Sequence, residues 1–163
     1  ALALAFEPAE PGVMLRPPRR PSEALITRVL AARIAYVSAL MIAVTFSVFE
    51  WELARGSSIE TARTAAVNML VIGELVYLFN VRHLTASAFT RDIVTGNPVA
   101  LWVSVILIVF QLLFTYAPPL QQVFHTAPLD AASWLVILVL GTGKFLAVEA
   151  EKAILRCLQV RSM

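Results

Sequence analysis

Apolar residues gather into four long runs, separated by short polar or proline-containing stretches. The clearest lies between Arg63 and Arg82, where eighteen residues hold one charge, Glu74, near the middle. A hydrocarbon core of about 30 Å needs a helix of about 20 residues, so this run predicts a membrane crossing. Before it, Ile34–Phe49 is uncharged. It forms the body of a helix expected from about Glu23 to Glu50, with Trp51 at the far end, where interfacial aromatics belong. A third helix is expected from Asn97 to about Tyr116, apolar apart from Ser104 and Gln111. A fourth runs from about Asp130 to Leu158, interrupted by Lys144 and Glu149 and charged in its last turns.

Local signals place the ends. Ser22 is the expected cap of the first helix, and Thr61 or Ser58 of the second. Asn97 caps the third, with Pro98 at its first position. Pro118-Pro119 stops the third helix, and the loop PPLQQVFHTAPLD leads to Asp130, which caps the fourth. Two stretches stand outside the four helices. Ala1–Phe6 reads as the tail of a further helix whose body lies upstream, which predicts a fragment of a larger membrane protein. Glu7–Glu23 contains five prolines and three arginines; proline at that density forbids a helix and leaves a stiff, exposed Arg-Pro-Pro-Arg loop. The expected fold is therefore all-α: a polytopic membrane bundle of four helices with a truncated extra helix end. Residues 1–22 form the helix end and loop. Residues 23–163 form the transmembrane domain, with helices at about 26–50, 62–82, 97–117 and 131–157.

Composition agrees. The 163 residues are 59% hydrophobic and 15% charged, with mean hydropathy +0.78, against about 25% charged in average soluble chains. No sizeable soluble catalytic domain fits, and no basic run interleaved with aromatics offers a nucleic-acid surface. The lone Cys157 makes neither a disulfide nor a metal cluster and reads as a helix-end hydrophobe. Of 13 Lys and Arg, only Arg55 and Arg63 fall on the side opposite the N-terminal loop. The positive-inside rule then puts both termini in the cytoplasm, and four alternating crossings are consistent with that.

The candidate chemistry centres on Glu74. A carboxylate at mid-depth costs about 2.5–3.5 kcal/mol on insertion scales and is expected to face protein and find a partner. Tyr77 lies one turn on, and Asn80 one turn beyond that. Gly73 and Ala66 permit close helix contact. Two readings stand. Glu74 is a ligand for a buried cation, helped by amide and carbonyl oxygens, or it is one half of a structural ion pair, with Lys144 as partner. The Gly141-Thr142-Gly143-Lys144 segment lacks phosphate-loop spacing and sits in an apolar helix. Its glycines read as packing or kink positions, and Lys144 as a snorkelling cation or a carboxylate's partner. His83 and His125 fall on opposite sides of the membrane and share no metal.

Several stretches together resemble a family. MLRPPRRPSEALIT after an apolar helix end looks like the cytoplasmic loop between the sixth and seventh membrane helices of P-type cation-transporting ATPases, through Phe6, Pro8, Met14, Arg16, Pro17, Pro18 and Arg19. ARTAAVNMLVIGELVYLFNVR is similar to the eighth helix of the calcium-pump-like branch, through Arg63, Thr64, Glu74, Asn80 and Arg82. YAPPLQQVFHTAPLDAASWL resembles the loop between the ninth and tenth helices. The resemblance implies the end of helix six and helices seven to ten of an ATP-driven pump. It implies that Glu74 is one ion ligand, with Tyr77 and Asn80 as neighbours. It implies that the Arg16-Pro17-Pro18-Arg19 loop touches the cytoplasmic domains. The phosphorylated Asp-Lys-Thr-Gly-Thr motif and the nucleotide domain are absent from these residues. No cofactor is therefore expected in this stretch, while the parent pump would use ATP and magnesium. The implied partners are the bilayer, the remaining helices and cytoplasmic domains of the pump, and the cation. That cation is left open among calcium, sodium, potassium and protons. The implied location is an integral membrane one, the plasma membrane in a prokaryote. The competing readings are a free-standing channel or secondary carrier, with Glu74 and Lys144 as a proton relay, and a purely structural membrane module.

Overall fold

A computed structural model describes residues 28–81 and 97–161. The Arg16–Arg19 loop, the Ala1–Phe6 helix end, the Ser22 cap, and Arg82 and His83 lie outside the described residues. Within them the chain is all helical: α1 (Arg28–Ala54), α2 (Ile59–Val81), α3 (Pro98–Tyr116), α4 (Pro118–Phe124) and α5 (Ala131–Arg161). Every one except the seven-residue α4 is long and apolar enough to cross a membrane. The protein is an all-α, polytopic membrane bundle.

The helix starts follow from single side chains. Ser58 Oγ accepts from the Thr61 amide at 3.2 Å, the Asn97 side chain accepts from the Ala100 amide at 3.0 Å, and Asp130 Oδ1 accepts from the Ser133 amide at 2.8 Å. Each satisfies an amide that the first helical turn leaves without a partner. Gly56, at φ 82°, turns the chain between α1 and α2 through the left-handed region, where a Cβ would be strained.

One segment differs from the expectation. The sequence pattern predicts loop from Pro118 to Asp130, yet Pro118 and Pro119 open the short helix α4. The prolines end α3 because they cannot continue its hydrogen bonds. They can still start the next helix, since a first-turn residue has no intrahelical N–H bond to lose. Gln121 Nε2 donates to the Thr115 carbonyl at 2.7 Å and holds α4 against the end it follows. His125 closes α4 at φ 52°.

α1, α2 and α5 form the core, around buried Val48, Ala65, Met69, Leu129 and Ile137. Arg33 pairs with Glu151 at 2.8 Å near one end, and Arg55 with Asp130 at 2.6 Å near the other. These two pairs fix α1 and α5 antiparallel and in register. α3 stands to the side against α2. Its buried face is Ala100, Ser104, Gln111 and Thr115, while Trp102, Phe110 and other large apolar residues point outward. This is the inside-out pattern of a lipid-embedded helix, in which small and polar residues make the helix contact.

Candidate functional site

α2 carries two opposed stripes. Ala62, Ala65, Met69, Gly73 and Asn80 are buried toward α1 and α5. Val67, Leu70 and Glu74 are exposed on the other side. Glu74 therefore sits at the middle of a membrane-crossing helix, on the face that α1, α3 and α5 leave uncovered. Among the described residues it has no ion pair and no hydrogen bond. Toward the Arg63 end, this flank of α2 borders an open cavity of about 490 Å³, walled by Phe46 and Phe49 of α1 and by Phe114 and His125.

Tyr77, one turn along, leans toward α5, and its ring centroid lies 5.5 Å from Lys144 Nζ. Lys144 is buried at 2% exposure. Its Nζ donates to the Gly73 carbonyl at 2.8 Å and approaches Met41 Sδ at 3.5 Å. It makes no ion pair with Glu74, so the direct structural bridge considered from sequence does not form. The ammonium reaches the backbone one residue earlier, through the gap that Gly73 leaves. A Cβ there would meet Met41 Sδ at 2.8 Å and Lys144 Nζ at 3.4 Å.

Asn80, six residues beyond Glu74, turns onto a different face of the helix. It is buried against α5, and its carbonyl accepts from Lys152 Nζ at 2.6 Å. Lys152 also holds Glu149 at 2.7 Å. Both polar atoms of the Asn80 side chain are buried without a partner among the described residues. Gly141 is a packing position: it is buried, and a Cβ there would meet Ile72 Cγ2 at 3.3 Å. Gly143 faces open space. Cys157 is exposed.

Sequence reasoning passes over Glu52. It is 1% exposed and accepts from Ser57 Oγ at 2.7 Å and from Ser133 Oγ. Ser133 Oγ also lies 2.7 Å from Asp130 Oδ1, so its single hydroxyl proton is shared between the two carboxylates. The signal is a carboxylate just inside the first helix end and a serine just inside the last, on helices that have to meet. Around Asp130, the Arg55 guanidinium and the Ser133 donors hold the carboxyl well below the usual carboxylate range, and Arg55 is raised in return.

A divalent cation such as calcium takes 6–8 oxygen ligands. Among the described residues no group of three His, Cys, Asp or Glu comes together. Glu74 is a single carboxylate on the exposed side of α2. The comparisons with known proteins bear on where such a helix occurs. The family described as "Cation transporting ATPase, C-terminus" matches residues 1–154. The chain belongs to this family. It is 41% identical over 150 residues to the "Probable cation-transporting ATPase F" of Mycobacterium tuberculosis, covering 92% of this chain. It is 33% identical over 141 residues, 83% of this chain, to the "Cation-transporting ATPase pma1" of Synechocystis. Over 153 residues, 93% of this chain, it is 30% identical to the mouse "Calcium-transporting ATPase type 2C member 2". The chain spans 16% of the length of each of these relatives. This membership favours the cation-ATPase reading over the free-standing channel or carrier.

Proposed function

We propose that this chain works as the C-terminal membrane segment of an ATP-driven cation pump, and that Glu74 supplies one oxygen ligand to the transported ion. The observation that carries the reading is the position of Glu74: mid-membrane, unpartnered among the described residues, and on the open face of α2. A carboxylate left there facing lipid would be costly or would take up a proton. A cation and the oxygen ligands of helices from the rest of the pump remove that cost. Tyr77 borders the site, and Asn80 supports the same helix from behind. ATP and magnesium act in cytoplasmic domains that hold the nucleotide, and the Arg16-Pro17-Pro18-Arg19 loop docks against them, its arginines pairing with carboxylates. The distribution of Lys and Arg supports cytoplasmic termini, in the plasma membrane of a prokaryotic cell. Calcium is the first ion to test, because several relatives are named calcium-transporting ATPases.

The test is Glu74→Gln in the full-length pump. The amide keeps size and hydrogen bonding but loses the charge. The expected outcome is a right-shifted cation titration of phosphorylation by ATP, by tenfold or more on the order of one lost charge-assisted contact, with normal expression. A titration that overlays wild type would make Glu74 structural.

A further inference from the structure

Lys144 has no part in that reading, yet its placement demands an account. It lies midway along a membrane-crossing helix and is 2% exposed. An ammonium taken out of water needs both hydrogen bonds and a counter-charge. The hydrogen bonds are partly there: the Gly73 carbonyl at 2.8 Å, with the Met41 thioether and the Tyr77 ring close by. None of these carries a full negative charge. Lys152, the other buried lysine, is different, because it touches the Glu149 carboxylate directly. The Lys144 ammonium meets α2 at the carbonyl of Gly73, the residue next to Glu74, and beside Tyr77, one turn beyond it. Gly73 is the missing side chain that lets the ammonium come up to the helix backbone.

We propose that Lys144 is a built-in counter-charge to the Glu74 ion site: an ammonium fixed behind the carboxylate that balances it when no ion is bound and opposes the charge of an ion that arrives. The inference rests on the reading of Glu74 as an ion ligand. Two consequences follow from Coulomb's law. The empty site is not a bare anion inside the membrane, so it needs less help from a proton. An arriving cation is repelled in proportion to its own charge, so the fixed ammonium weakens a divalent ion more than a monovalent one.

The experiment uses the full-length pump and measures ATP-dependent phosphorylation against calcium concentration. Four proteins are compared: wild type, Lys144→Gln, Glu74→Gln and the double variant. With Glu74 present, Lys144→Gln is expected to lower the calcium midpoint by about tenfold or more, tenfold being the scale of one unit charge acting across a helix at an effective dielectric of about 20 and calcium carrying two. In the Glu74→Gln background the ammonium still repels the ion, so the same change is expected to lower the midpoint at least as far, since no carboxylate is left to take up a proton in its place. Lys144→Arg keeps the charge and is expected to stay near wild type. A shift from Lys144→Arg as large as that from Lys144→Gln would reveal a packing effect and overturn the proposal, as would no shift from Lys144→Gln at all. Failure of both Lys144→Gln and Lys144→Met to accumulate, while Lys144→Arg accumulates with or without Glu74→Gln, would mark a purely structural charge and also overturn it. If Glu74→Gln alone leaves the midpoint unchanged, the ligand assignment fails; if it shifts the midpoint and Lys144→Gln does not, only the counter-charge fails.

Discussion

Glu52 and Glu74 are the same residue type on adjacent helices, and the bundle treats them in opposite ways. Glu52 is buried where α1 meets α5, and two serine hydroxyls donate to it, with Arg55 3.8 Å away. Glu74 is exposed on the outer face of α2, with no hydrogen bond or ion pair among the described residues. Buried polar groups are nearly always satisfied, so a carboxylate with every donor supplied is explained by the fold that supplies them. A mid-membrane carboxylate with none is not explained by its own bundle, and its explanation lies in whatever covers that face. The contrast separates a residue that holds the helices together from one that they present.

The sharpest way to break the comparison is to remove each carboxylate in turn. Glu52→Ala takes away the acceptor shared by Ser57 and Ser133 and leaves a space between α1 and α5. It is expected to destabilise the bundle by about 2–4 kcal/mol, read as a lower denaturation midpoint of the purified chain in detergent. Glu74→Ala is expected to lower it far less, since among the described residues Glu74 has no hydrogen bond or ion pair to lose and only its charge near Lys144 goes. Equal losses from the two substitutions would show that Glu74 has a partner within this chain.

A smaller effect tests whether satisfied polar contacts also hold α3. Asn68 donates to the Thr64 carbonyl at 2.8 Å and to Thr115 Oγ1 at 3.0 Å. Thr115 in turn donates to the Gln111 carbonyl at 2.9 Å. Such a link inside a membrane is worth about 0.6 kcal/mol on average and up to about 1.7. Asn68→Leu is expected to cost this much and to loosen α3 from α2, which a disulfide-trapping pair across the seam would report as slower cross-linking. Asn68→Leu with Thr115→Val is expected to cost little more than either alone, because both remove one contact.

The helices and their caps are legible in the sequence because each depends on nearby residues. Asn97, Asp130 and the length of each apolar run act within a few positions of themselves. Glu74 is legible as unusual for the same reason, being a charge alone in its run. Its partners are not legible. The bridge to Lys144, one of the two readings open in the sequence, does not form because Lys144 enters beside Gly73 and donates to its carbonyl. That depends on how α5 is rotated against α2, which no local pattern sets. Asn80 shares a sequence stretch with Glu74 but not a face, since six residues do not complete a whole number of turns. α4 escapes a sequence reading because proline there acts as a helix start as well as a helix stop.

The mildest prediction returns to the Glu52 end of the molecule and uses acid to take it apart. Asp130 accepts from Arg55 at 2.6 Å and from the Ser133 amide at 2.8 Å, and it shares the Ser133 hydroxyl with Glu52. These donors hold its carboxyl well below the ordinary range in the folded protein. A carboxylate depressed on folding binds fewer protons folded than unfolded, so its stabilising contribution is complete above the unfolded value of about 3.9 and is lost as the pH falls below it. Between about pH 5 and pH 9, above that unfolded value, the Asp130→Asn variant is therefore expected to sit a constant, small step below wild type. As the pH falls below about 4 that step is expected to shrink, because wild type loses what the variant never had. The pair is exposed to solvent, with Asp130 at 54% and Arg55 at 33% side-chain exposure, so added salt is expected to shrink the step as well. Detergent-solubilised chain followed by thermal unfolding at a series of pH values supplies the measurement. A step that keeps its full size at about pH 3 and at high salt would mean that Asp130 acts as a neutral cap for α5 and that the Arg55 pair contributes nothing.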